Sequence, residues 1–153
     1  NLSRLQTDAV DVLLIHAPAI DVEVLQQTDA VDAVLSQKQR GKTRAVGFSG
    51  KTVAGARLAL EWAGVLMVEF HLDDPSHSDM IAEAHTRGIG VMVKKGLASG
   101  RLAPRQAIPF ALSPAGVSNL VVGGLSLDHI RANIECCAAG SLADERRSLH
   151  PDG

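Results

Sequence analysis

The chain has 153 residues, 46% of them hydrophobic and 21% charged, with a formal net charge of -2. That length carries one domain or one piece of a larger one, and that balance excludes a disordered acidic tail, which needs low hydrophobicity and strong net charge. It gives no basis for nucleic-acid binding, because no surplus positive charge exists to displace phosphate counterions, and no apolar run approaches the ~20 residues of a membrane-spanning helix.

In chain order, Asn1 is neither an initiator Met nor the start of a basic-then-apolar leader. Leu2 and Leu5 lie three apart, as if the chain opened inside a helix, and Thr7 and Asp8 break the pattern; the sequence reads as a fragment. Five apolar runs follow, at 9–16 (ending VDVLLIH), 43–49 (TRAVGFS), 66–72 (LMVEFHL), 90–94 (GVMVK) and 119–123 (NLVVG). Short apolar runs bounded by Gly and polar turns suit strands buried on both faces, as in parallel sheets. Between them the period becomes helical. Val24, Leu25, Val31, Val34 and Leu35 share a face that stops at Gly41. Thr52 is placed to cap a helix ending near Gly64, and Ser78 with Asp79 opens another that ends at Gly88. The segment 103–112 is a weaker helix, because Pro109 should kink or end it. Ser126 caps a last one, with Leu127, Ile130, Ile134 and Cys137 on its apolar face. The adjacent cysteines Cys136 and Cys137 exclude a disulfide framework and point to a reducing, cytoplasmic compartment.

This alternation predicts an α/β fold with parallel strands and helical crossovers, either an open doubly wound sheet or five β/α units of a (β/α)₈ barrel, in effect a partial TIM barrel. Residues 1–139 form the domain portion, and 140–153 is a polar tail expected to fray. Both architectures gather function at the carboxyl ends of the strands. The residues there are His16, Ser49 with Gly50, His71 with Asp73 and Asp74, Lys94 with Lys95, and Gly123 with Gly124. An imidazole at such a mouth shuttles a proton near neutral pH, or is simply a satisfied strand-end His. Around His71, the residues Asp73, Asp74, Ser76, His77 and Ser78 include metal-ligand types, but the run is ordinary turn and helix-entry chemistry, and no metal is expected. Lys94 to Gly100 joins two ammoniums to a small-residue loop that suits a phosphate, although its order is not that of a Walker loop. A desolvated lysine there is alternatively an imine-forming amine, and two solvated lysines are the plain reading. Gly123-Gly124 leads into a helix N-terminus, which favours an anion.

Four segments, SRLQTDAVDVLLIHAP, RGKTRAVGFSGKT, GIGVMVKKGLASGRL and FALSPAGVSNLVVGGLSLDHIRANI, together resemble the carboxyl-terminal part of the aldo-keto reductase family. The resemblance implies strands four to eight of an (α/β)₈ barrel that uses NADPH or NADH to reduce a small-molecule aldehyde or ketone. By position His16 resembles the family's catalytic His; the family's Tyr, Lys and Asp belong to earlier strands, and this chain has no Tyr. Ser49 matches a serine near the nicotinamide amide, whereas Gly50 stands where an Asn is usual and Met67 where a Gln is usual. Lys94 falls where a Tyr commonly stacks on the nicotinamide, and Lys95 where a Ser is common. Leu97 and Ser99 agree with the pyrophosphate loop, and Gly123 and Gly124 with the adenosine-phosphate loop, whose usual basic residue is missing. His129 occupies a frequent Arg or Gln position, and Asn133 matches an adenine-contacting Asn. The alternatives are a non-catalytic cofactor-binding or regulatory barrel relative, and a lysine-dependent, aldolase-like enzyme using Lys94 or Lys95. Alone, the chain is expected to be inactive and to self-associate, or to need an amino-terminal half, because strands cut from a closed barrel leave open edges and an apolar face.

Overall fold

The computed structural model describes residues 2–17 and 19–137; the tail expected to fray, 140–153, lies outside them. A short helix α1 (Leu2–Leu5) precedes β1 (Val10–His16), α2 (Asp21–Gln27), α3 (Ala30–Gln39), β2 (Thr43–Ser49), α4 (Val53–Ala59), β3 (Val65–Glu69), α5 (Ser78–Thr86), β4 (Gly90–Lys94), a 3₁₀ turn (Ala98–Gly100), α6 (Pro104–Leu112) and β5 (Val117–Val121). Residues 127–137 form a further helix, α7. The strands build one sheet in chain order, β1 to β5, and every neighbouring pair is parallel. The predicted architecture is therefore the observed one.

Strand alternation divides the side chains between two environments. Ile15, Phe48, Leu66, Val68, Val91 and Val93 face the helices and form the core with Ala56, Ala59, Met80, Ile81 and Ala84. The intervening residues, Val12 and Leu14 on β1, Met67 on β3 and Met92 on β4, lie on the opposite, incompletely covered face. Gly47 also belongs to that face. A Cβ there would overlap the Val65 carbonyl oxygen and meet Leu14 Cδ2 at 2.9 Å, so β2 and β3 approach as closely as they do only because this residue is Gly.

Several boundaries differ from the sequence expectation, each for a local reason. The single helical face of 24–35 is two helices. Thr28 is extended; its hydroxyl donates to the Val24 carbonyl at 2.6 Å and accepts from the Ala30 amide at 3.2 Å, ending one helix and starting the next. β3 stops at Glu69 rather than continuing to Leu72, because His71 spends its backbone N–H and C=O on Asp74 in a tight turn. Phe70 leaves the strand to stack on Phe110, with ring centroids 5.0 Å apart. β5 is displaced two residues toward the amino terminus, with a register shift between Val91 and Met92, which puts Gly123 beyond its end. Pro109 does not end α6. Burial of Ala107, Ile108 and Ala111 holds the helix together across the missing N–H. Thr52 caps α4 as expected, accepting from the Gly55 amide at 2.9 Å, whereas Ser78 turns its hydroxyl back to the Pro75 carbonyl and His77 takes the cap position of α5.

The expectation that Cys137 lies on a buried apolar face is corrected. Cys136 is buried, beside Ala132 and Glu135 at a hollow bordered by Pro104 of α6, whereas Cys137 is exposed, as are Leu127, Ile130 and Ile134 of the same stripe. The substitution Gly47→Ala is expected to destabilise the fold by about 3 kcal/mol, the cost of overpacking a site with no slack, read as a lower midpoint in chemical denaturation.

Candidate active site at the strand carboxyl ends

The register sets His16 of β1 opposite Ser49 of β2, and Glu69 of β3 opposite Lys94 of β4. Their side chains meet on the open face. His16 Nδ1 lies 3.2 Å from Ser49 Oγ, and the Lys94 ammonium donates to the same oxygen at 3.2 Å and to the Gly50 carbonyl at 2.8 Å. With Ser49 accepting from Lys94, its own proton is free for His16 Nδ1. When Ser49 gives that proton to Nδ1, a neutral imidazole has its own proton on Nε2. Burial lowers the proton affinity of Lys94; Glu69 and Asp21 oppose that effect, and Lys95 and Lys51 reinforce it. Lys95 is differently placed. It leaves the strand in a left-handed conformation (φ 55°), and its ammonium is paired with Glu69 Oε1 at 2.6 Å.

Beyond Lys95 the loop is coiled tightly, with Ala98, Ser99 and Gly100 also at positive φ. It lines a cavity of 420 Å³ through Lys95, Gly96, Leu97, Ser99 and Gly100, and Val121, Val122 and Gly123 form the other wall. The two loops read separately in the sequence as phosphate sites therefore share one hollow. The Gly96 and Leu97 amides donate to no protein acceptor among the described residues. Gly124 does not line this hollow and packs against Ile130, His129 is exposed, and Asn133 lines a separate cavity with Ile108, Asn119 and Leu120. Another cavity, of 460 Å³, is lined by Leu2, Thr7, Asp8 and Lys42 at the amino ends of the strands, the wrong pole for a parallel-sheet site.

Sequence reading missed Asp21. This fully buried carboxylate, at the start of α2, accepts from the Lys51 amide at 3.0 Å, the Thr52 amide at 2.8 Å and the Thr52 hydroxyl at 2.7 Å. Two glycines clear its niche, since a Cβ at Gly50 or Gly55 would meet a carboxylate oxygen at 2.8 or 2.7 Å. The available signal was a Thr cap with a glycine on each side of it. The absence of an Asn at position 50 acquires a cause as well, because the Phe48 ring occupies the space such a side chain needs. Burial pushes the Asp21 carboxyl up, but donors from Thr52, Lys51 and Val22 outweigh it and hold the group below its ordinary 3.8.

The segment after β3 folds as a turn, with the Ser76 amide donating to Asp74 Oδ1 at 3.1 Å. Among the described residues no three His, Cys, Asp or Glu side chains are grouped to hold a metal ion. His71 is buried, and its Nδ1 has no partner among the described residues. Burial holds His77 below the usual imidazole range despite Asp74 nearby.

The sequence profile of the Aldo/keto reductase family matches residues 1–110, and the chain belongs to that family. Its fold superimposes on a Pseudomonas aeruginosa protein assigned to the aldo-keto reductases, at 30% identity and a TM-score of 0.86, over 91% of this chain and 55% of the other. The aldo-keto reductase AKR11C1 of Bacillus halodurans in its holo form matches at 20% identity and a TM-score of 0.73, over 89% of this chain and 58% of that one. The glycerol dehydrogenase AKR11B4 of Gluconobacter oxydans matches at 15% and 0.62, over 91% and 62%. The chain thus spans less than two thirds of the length of these structures. No curated protein sequence matches it.

Replacing Asp21 by Ala strands three donors and is expected to cost about 2–3 kcal/mol in denaturant unfolding. Because the folded pKa of Asp21 lies below its unfolded value, its stabilisation is complete above that value and is lost as pH falls through the folded one. The stability gap between the unmodified protein and Asp21→Asn should therefore shrink on acidification below pH 3.8.

Proposed function

We propose that the protein is a nicotinamide-dependent oxidoreductase that reduces aldehydes or ketones to alcohols, with NADPH or NADH as cofactor. The observation that carries this reading is the single cavity shared by the lysine loop and the Gly123 turn, beside the His16–Ser49–Lys94 chain. The residues fit the cofactor's anionic part: unspent Gly96 and Leu97 amides, the Ser99 side chain and the Lys95 ammonium border a hollow of suitable size for a pyrophosphate. When bound, the nicotinamide supplies the hydride. His16, with Nε2 protonated, donates a hydrogen bond to the substrate carbonyl oxygen and polarises it, and Ser49 holds that tautomer. Lys94 keeps the Ser49–Gly50 backbone in place at the nicotinamide end, while Gly123, Gly124, His129 and Asn133 serve the adenosine end. The free thiols of Cys136 and Cys137 suit a reducing cytoplasm.

Packing of Phe48 over Gly50, which removes a side-chain amide from the nicotinamide end, favours a second reading: a binding module without turnover. NADPH titration, followed by nicotinamide fluorescence, should saturate. Ser99→Asp, which opposes a carboxylate to the phosphates, should weaken binding about tenfold or more. His16→Ala should lower aldehyde turnover by about 10²-fold while leaving NADPH affinity intact. Absence of saturable binding sinks the proposal, and binding without reduction of any aldehyde selects the module.

The uncovered face and the two strands that are edges among the described residues, β1 and β5, support association with further strands, from a second copy or from the remainder of a barrel. Sedimentation of this chain alone should show oligomers; a monodisperse, cooperatively melting monomer would contradict that.

A further inference from the structure

The two neighbouring lysines, equivalent in the sequence, have opposite environments. Lys95 is exposed, and its ammonium is held by a carboxylate at 2.6 Å. Lys94 is half-buried, forms no ion pair among the described residues, and rests on two neutral oxygens, the Gly50 carbonyl and the Ser49 hydroxyl. An ammonium held by neutral acceptors beside a second cation is the arrangement that releases a lysine as a nucleophile, whereas a carboxylate partner keeps it protonated. The Ser49 hydroxyl also leads onward to an imidazole, so a proton leaving Nζ has a path through Oγ to His16 Nδ1.

We infer that Lys94 is a carbonyl-reactive amine that captures a small aldehyde or ketone as an imine at the carboxyl end of the open face, with Ser49 and His16 as its proton path. Nζ gives a proton through Ser49 to His16, and its lone pair attacks the carbonyl carbon. The C–N bond forms as the C–O π bond opens, and the oxygen takes the proton back from the imidazolium. A second nitrogen proton follows the same route to the hydroxyl, the nitrogen lone pair forms the C=N bond as the C–O bond breaks, and water leaves. The ammonium and the carbonyl become a protonated imine and water, with no oxidant or reductant involved. The charged groups whose fields reach Lys94 are Glu69 from β3, Lys95 just beyond β4, Lys51 from the β2–α4 loop, Asp21 from α2 and His77 from the start of α5; burial together with the two lysines outweighs the two carboxylates and lowers its proton affinity. The inference is independent of the nicotinamide reading, because the capture needs no cofactor.

Brief exposure of the cofactor-free protein to acetaldehyde with cyanoborohydride at neutral pH, followed by peptide mass mapping, tests it. The expected result is N-ethylation at Lys94 in severalfold excess over the adjacent Lys95, lost in Lys94→Arg and retained in Lys42→Arg at the far pole. Ser49→Ala, checked by circular dichroism for an intact fold, should slow capture at Lys94 and leave Lys95 unchanged. Alkylation spread evenly over the lysines, or favouring Lys95, overturns the inference whatever NADPH titration shows, and failure of NADPH to bind leaves it standing.

Discussion

Parallel pairing is the constraint on which the rest of the structure depends. Because all five strands run the same way and the helices that follow β1 to β4 pack on one face, alternate side chains are committed to the helices, and the others to the open face. The register then matters more than any single contact. His16 lies level with Ser49, and Lys94 with Glu69, so residues separated by as many as 45 positions in sequence reach one another through hydrogen bonds of about 3 Å. A slip of one residue in β2 would send Ser49 into the helices and set Phe48 beside His16.

The site is held from below as well as along the ladder. Asp21 sits where the chain leaving β1 passes the loop leaving β2, and its carboxylate ties those two exits together through Lys51 and Thr52. Gly50 and Gly55 make room for it, and Phe48 makes a side chain at position 50 impossible without rearrangement. The same packing that denies the site a side-chain amide exposes the Gly50 carbonyl, and Lys94 answers it. Departure from the family pattern at Gly50 and the Lys94 contact are thus two sides of one local arrangement.

The strands and their direction were legible in the sequence because short apolar runs bounded by glycine and polar turns, alternating with helical periods, leave few alternatives; Gly41 and Gly88 stop their helices at φ 69° and 71°. What was not legible depended on contacts between distant segments. Asp21 looks like any acidic residue in a first helical turn until the 51–52 amides arrive above it. Pro109 looks like a helix terminator until Phe110 finds Phe70, and the α7 stripe looks like a buried face although Leu127, Ile130, Ile134 and Cys137 are exposed. At the candidate site, residue types and their common pole were readable, whereas the distinction between Lys94 and Lys95 was not. It is decided by which one inherits Glu69, and that follows from the left-handed turn at Lys95.

That single carboxylate has two claimants. In the structure it neutralises Lys95, and its weaker field still reaches Lys94. An anion lodged in the loop and drawing Lys95 to itself would hand Glu69 over to Lys94, fixing the latter in its charged, unreactive form. Occupancy of one hollow and covalent capture beside it would then be antagonistic, an interlock made from two cations and one acid.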